Sequence, residues 1–390
     1  MNHQTRQMAV RRGITLIEVL FSIGIVTIGV FGIMAMLMLA GLRAKESVDA
    51  NQAAALGRQA LAEIPVRRWQ RDDMVLFAGP TNAWRTLATV KQTDAIFQQI
   101  FLDGRISYCL DPQLVANSAT FGFPAPESRF PYGGSGRNVP ALTMPRATVA
   151  RTVTRPPVLP VPISAPLANR FMLLSSQLAF DRPDDRTLLP VQLYDTVGTS
   201  PPLRRTNDGD FSWMATVTPG IDRSTVDRRV GDTYVLSVVV FRQRVPYRVT
   251  PAPQNQPVNG ERQVLVSAFS GTGLGGGTIQ IAAPSSMSFQ QAEVELKLRR
   301  GQWVLLSGIY AGNPQVAAHA WYRVMGVDRI QGGGTNPWTR WITLEGSDWP
   351  LLVPGSGNPA GIPLQNTRLT IVENVVNVTS KTIKVEPELP

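Results

Sequence analysis

The sequence holds a single cysteine, Cys109, so no disulfide can form within the chain and a small disulfide-stapled scaffold is excluded. Histidine is almost as scarce. With only His3 and His319 present, a histidine-based zinc site or a Ser-His-Asp triad has a single ring to draw on beyond the extreme N-terminus. Charged residues make up 17% of the chain, below the usual share, and the arginines are dispersed rather than patched. A nucleic-acid partner is therefore not expected despite a net charge of +10, three of which come from Arg6, Arg11 and Arg12. What the chain has in quantity is proline and glycine, 31 and 33 residues, a balance typical of loop-rich β proteins. A length of 390 residues allows two or three domains.

One long hydrophobic run breaks that pattern. The stretch "RRGITLIEVLFSIGIVTIGVFGIMAMLMLAGLR" spans Arg11 to Arg43, and Val19 to Leu42 contains no charged residue. As a helix those 24 residues reach about 36 Å, more than the roughly 30 Å of a bilayer's hydrocarbon core. Basic residues before the run, partly offset by Arg43 and Lys45 after it, favour a cytoplasmic N-terminus with the bulk of the chain outside. A cleaved secretory signal does not fit, because the run is too long and Glu18 falls where such peptides are apolar. A plain anchor explains the length but not the acid, since an ionised carboxylate near the bilayer costs several kcal/mol unless it is paired or at the surface.

The residues around Glu18 supply a third reading. Arg11, Arg12, Gly13, Ile14, Thr15, Leu16, Ile17 and Glu18, followed by Val19 and Leu20, form a pattern that resembles the class III leader of type IV prepilins and pseudopilins. Phenylalanine is the commoner residue at the position of Ile14, a departure that family tolerates. The resemblance implies that residues 1–13 are a leader with Arg11 and Arg12 as its charges, cut between Gly13 and Ile14 by a prepilin peptidase that also methylates the new Ile14 amine. Glu18 would then be the fifth residue of the mature chain, facing the amino terminus of a neighbouring subunit so that two charges costly alone become a pair. The bland alternative is a Glu18 that snorkels to the interface of an ordinary anchor. Partners implied by the resemblance are prepilin peptidase, other pilin or pseudopilin subunits, an inner-membrane assembly platform and membrane lipid. The implied location is the inner membrane, single-pass with a periplasmic head, with a cell-surface filament after assembly. The V-type minor pilins and I-type pseudopilins are the nearest types. The likeness is strong for residues 11–42, extends more weakly to about 66, and is absent from the last hundred residues.

Residues 14–42 are read as the transmembrane half of a stem helix and 43–66 as its amphipathic half. Ala53, Leu56, Ala60 and Ile64 fall on one helical face, and Pro65 ends the pattern. Gly24, Gly29, Gly32 and Gly41 either allow close packing of stems or reflect the general frequency of small residues in membrane helices. Residues 67–245 read as an antiparallel β head covered by Ala53 to Ile64. Its candidate strands include "GRISYCL", "RFMLLSSQLAF", "FSWMATVTP" and "TYVLSVVVFRQRV", after a short helical piece near "AWRTLATVKQTDAIFQQIF". A proline-rich excursion at 124–166 reads as a spacer. Residues 246–289 read as a linker with a Gly-rich loop, and 290–390 as a second β region, barrel or sandwich. That region holds Trp303, Trp321, Trp338, Trp341 and Trp349. Core packing is their ordinary use, and an exposed subset could bind glycan or another protein.

The sequence carries little that reads as catalytic or ligand-binding chemistry. "GTGLGG" at Gly271 to Gly276 matches G-x-G-x-x-G, but strand-like residues follow it instead of the helix that would give phosphate binding its mechanism, so it reads as a hairpin tip. The carboxylates of "RPDDR" and "TNDGDF" lack calcium-loop spacing. The expectation is an α+β protein that is not an enzyme and needs no cofactor or metal. A long N-terminal hydrophobic helix packs on an antiparallel sheet head, and a second β-rich region follows.

Overall fold

A single helix, α1, runs from Leu16 to Val66, 51 residues or about 76 Å. Glycines and β-branched residues weaken its first half intrinsically, yet the composition there is apolar enough to cross a membrane. At its other end Pro65 lies in the last turn, one residue before the helix stops. Arg68 then turns left-handed (φ 57°) and the Trp69 N–H returns to the Ile64 carbonyl at 3.0 Å. This computed structural model describes residues 15–78, 83–93, 106–117, 128–131, 142–151, 160–172, 178–180, 205–207, 211–220, 233–242, 244, 260–270, 276–309, 317–349, 362 and 364–384. The chain divides between Gln52 and Ala53 into two units.

The second unit carries the sheets. In chain order the head contributes β1 (Val75–Ala78), β2 (Trp84–Thr86), α2 (Leu87–Thr93), β3 (Tyr108–Leu110), α3 (Pro112–Asn117), β4 (Arg129–Phe130), β5 (Met144–Val149) and α4 (Ala165–Met172). A small pair, β6 (Leu178–Phe180) and β7 (Arg205–Asn207), precedes the two long strands β8 (Phe211–Pro219) and β9 (Thr233–Arg242). Next come β10 (Glu261–Ser270), β11 (Gly276–Ala283), α5 (Phe289–Glu295), β12 (Trp303–Ile309), β13 (Ala317–Val327), β14 (Gln331–Gly333), β15 (Asn336–Glu345) and β16 (Thr367–Val372). The last strand is β17 (Val375–Lys384).

The head sheet has the order β17-β9-β8-β3-β5-β1-β2, antiparallel except for the parallel β3–β5 pair. One face is covered by the second half of α1. Ala53, Leu56, Ala60 and Ile64 are all buried, in one cluster with Trp213, Ala215 and Val217 of β8 and Leu236, Val238 and Val240 of β9. Burying the Leu56 and Ile64 side chains contributes roughly 1.5–3 kcal/mol each.

The second sheet is a closed barrel. Its strands run β11-β10-β16-β12-β13-β15, and β11 pairs with β15 over eight residues, Gly276 to Ala283 against Trp338 to Glu345, so no edge is left open around the ring. Alternate residues fill the interior, among them Val264 and Val266, Ile279 and Ile281, Val304 and Leu306, Ile342 and Leu344, Leu369 and Ile371. Helix α5 starts on a capping box at Ser288 and Gln291 and adds Ala292, with Leu296 just after it, to the same core.

Several boundaries differ from the sequence reading. Residues expected as linker, 246–289, include β10 and β11, which belong to the barrel; their alternation is as regular as that of the later strands. The pairing of β10 with β11 fits a hairpin, while 271–275 at its tip lie outside the described residues. The start of "RFMLLSSQLAF" is the end of α4 and its last three residues are β6, while 173–177 between them lie outside the described residues. "AEVELKLRRGQWVLLSG" divides into α5 and β12. "TRLTIVENVVNVTSKTIKVE" divides at Glu373 and Asn374, where a turn with Asn374 left-handed (φ 63°) sends β16 into the barrel and β17 back to β9. The proline-rich stretch 124–166, expected as a spacer, instead contains β4 and β5, and β5 lies buried between β3 and β1 inside the head sheet, with Pro145 confined to its start; 124–127, 132–141 and 152–159, together with "RPDDR", lie outside the described residues.

Gly57 shows how tightly α1 meets that returning strand. A Cβ there would sit 2.7 Å from Thr379 Oγ1, which also accepts from Asn377 Nδ2 at 2.9 Å. At an open helical site Gly→Ala stabilises by about 1 kcal/mol. Here Gly57→Ala is expected to destabilise by about 1 kcal/mol instead, since Thr379 must move. In a Thr379→Ala background the same change should become stabilising, a reversal readable in a urea-denaturation double-mutant cycle.

Candidate functional site

The stem begins with local chemistry that the sequence reading passed over. Thr15-Leu16-Ile17-Glu18 has the S/T-x-x-E spacing of a capping box, and Glu18 Oε2 accepts from both the Thr15 backbone N–H and the Thr15 hydroxyl, each at 3.4 Å. Those distances lie at the weak end of hydrogen bonding. The carboxylate also lies in the first turn, near the positive end of the helix dipole. From Leu16 to Leu39 every large apolar side chain of the helix is exposed, from 46% at Val19 to 83% at Leu16. Ser22 and Thr27 return their hydroxyls to the carbonyls four residues back, at 2.8 and 2.7 Å, and so hide their polarity inside the helix. A Cβ added at Gly24, Gly29, Gly32 or Gly41 would meet nothing within 4 Å. Arg11, Arg12, Gly13 and Ile14 lie outside the described residues, so Glu18 alone of the expected assembly and processing positions has a geometry here.

The head sheet and barrel meet through a second constellation with no sequence signature. Arg146 of β5, buried, donates to Asp111 at 2.5 Å and to both oxygens of Glu261 on β10 at 2.7 and 2.5 Å. Arg244 adds two bonds to Asp111, at 2.9 and 2.6 Å. Two cations and two anions thus close a neutral, dry quartet. Burial alone would raise the Asp111 pKa, but the Arg244 and Arg146 guanidinium groups outweigh it and hold the carboxyl below its usual range. Burial likewise opposes the Arg146 charge, and Glu261 and Asp111 overcome it. The nearby Cys109 thiol is pushed up by burial and lies 3.6 Å from the Met214 sulfur, an inert environment rather than a reactive one.

Around the quartet, the outer wall of the barrel packs on the head face opposite α1. Phe130 stacks on Trp321 with centroids 6.4 Å apart, and the Trp321 indole donates to the Thr216 hydroxyl of β8 at 3.0 Å. Beside this contact the two layers part to leave a cleft of about 660 Å³. His319 lies on its wall, in register with Ser307 and 2.9 Å from that hydroxyl through Nδ1. The residue keeps some exposure to the cleft, yet burial pushes its ring pKa down to about 4. Among the described residues there is no cluster of three His, Cys, Asp or Glu able to hold a metal ion.

No family model, curated protein or solved structure matches this chain.

Two measurements follow. Arg146→Met removes the nearest cation from the buried Glu261, leaving Arg244 at 4.0 Å, and should cost about 3–5 kcal/mol of unfolding free energy, while Arg146→Met with Glu261→Leu should recover much of it. For His319 the folded pKa lies below the unfolded value, so the unfolded state binds more protons between pH 6.5 and 4. Stability should therefore fall as pH drops through that window, and the His319→Gln chain should fall less steeply when thermal midpoints are compared across it.

Proposed function

We propose that the chain is a minor pilin or pseudopilin, a structural subunit of a type IV pilus or a type II secretion pseudopilus. In this reading prepilin peptidase cuts between Gly13 and Ile14 and methylates Ile14. Residues 14–42 then hold the subunit in the inner membrane with its head in the periplasm, until an assembly platform draws the stem into a filament. The observation that carries the reading is the division of labour along one helix. Its first half is wholly exposed and apolar, with Glu18 its single charge before Arg43, and its second half covers the head sheet.

The mechanism is mechanical. An isolated carboxylate at that depth costs several kcal/mol, and the two long contacts from Thr15 offset only part of it. Stacking stems brings the Ile14 amine of one subunit to the Glu18 of another, so assembly satisfies both charges and gives the filament its register. The exposed apolar side chains of the stem leave lipid for neighbouring stems, and the double-layered head remains outside.

A second reading is favoured by the Thr15 contacts themselves. If Glu18 serves chiefly to start the helix, the leader anchors an envelope binding protein that joins no filament. Glu18→Gln separates the two, because glutamine keeps the capping contact while removing the charge. A filament subunit should be processed normally and lose incorporation as completely with Gln as with Ala, measured by immunoblotting of sheared filaments. An anchor should tolerate Gln. Mass spectrometry of the native membrane form should show a methylated isoleucine terminus lacking thirteen residues. An intact Met1 end would overturn the filament reading and leave only an anchored β protein.

A further inference from the structure

The cleft between the head sheet and the barrel has features that its packing role does not need. Trp303 of β12 and Trp321 of β13 present indole surface on one wall, and Arg323, Glu345 and Asp348 stand at the same opening. The facing wall, from β9 and β17, contributes Ser237 and Ser380, whose hydroxyls are 2.8 Å apart. Trp321 is fixed by its bond to Thr216, while Trp303 is half-buried and forms the accessible part of the platform. A volume of about 660 Å³ lies within the range of small-molecule sites, which are mostly apolar with a few placed polar groups.

Two physical points narrow the ligand. At the rim, two carboxylates stand against one guanidinium, which opposes a phosphate-rich or nucleic-acid ligand. Flat indoles beside planar carboxylates, a guanidinium and hydroxyls suit a molecule with apolar C–H faces and rims of paired hydroxyls. That is the chemistry of a pyranose ring.

We propose that this cleft binds a neutral oligosaccharide, with Trp303 stacking on a sugar ring and Asp348 and Arg323 bonding its hydroxyls. The site is independent of how the stem is used. The test takes the full chain in a zwitterionic detergent, because sugar-headed detergents would compete, and titrates it with cellohexaose and with chitohexaose. Binding is read by tryptophan fluorescence and calorimetry. Saturable binding of at least one of them is expected, weakened about tenfold or more by Trp303→Ala and by Asp348→Asn, partly recovered by Trp303→Phe, and unchanged by Glu18→Gln. Near-UV circular dichroism and the thermal midpoint show whether Trp303→Ala keeps the fold, and Asp348→Asn decides the matter if it does not. The proposal is overturned if neither sugar binds saturably, if binding survives both cleft substitutions, or if an extended peptide or single-stranded DNA occupies the cleft in their place.

Discussion

The head depends on two strands that are buried on both faces. Along β8 and β9 the residues alternate between α1 and the barrel. Trp213, Ala215, Val217, Leu236, Val238 and Val240 pack under the helix, while Met214, Val239 and Phe241 join a separate cluster with Leu305, Trp321 and Val378. The barrel side takes Ser212, Thr216 and Thr218 of β8 out of water beside Met214, so α1, sheet and barrel must all be present for the apolar residues between them to be hidden. The barrel is thus a structural layer of the head as well as a domain in its own right.

The charge quartet adds specificity to that contact rather than much net stability. Two arginines and two acids taken from water cost a great deal, and only their complete mutual pairing repays it. Any sliding of the barrel wall along the head would separate Glu261 from Arg146 and leave dry, unmatched charges. An apolar interface alone would tolerate such sliding. The neighbouring Phe130–Trp321 stack and the Trp321–Thr216 bond constrain the same register from the aromatic side.

Legibility in the sequence followed the range of the signal. Local periodicity was sufficient for the helix: Ala53, Leu56, Ala60 and Ile64 are the buried face, and both long head strands lie where alternation put them. Period-two reading could not tell which sheet a strand joins, so β10 and β11 passed for linker and β17 for part of the second region. "AEVELKL" alternates well enough to resemble a strand, but its Ser288–Gln291 capping box starts a helix just upstream. That box and Thr15–Glu18 were both readable from spacing. The quartet was not, because Asp111, Arg146, Arg244 and Glu261 come from well-separated stretches and carry no mutual pattern until the sheets form. Gly57 was equally silent, its meaning depending on a threonine more than three hundred positions later.

That distant partner has a consequence for biogenesis. The barrel is topologically an insertion: the chain leaves the head after β9, builds a closed ring, and comes back to complete the head's edge with β17. Before β17 is made, α1 and the seven other strands of the head sheet are already present, with the flank of β9 unpaired and sticky, and that flank is sealed only when the returning strand arrives. A chain built this way exposes that flank to proteolysis and mispairing until β17 docks, which couples its maturation to complete synthesis.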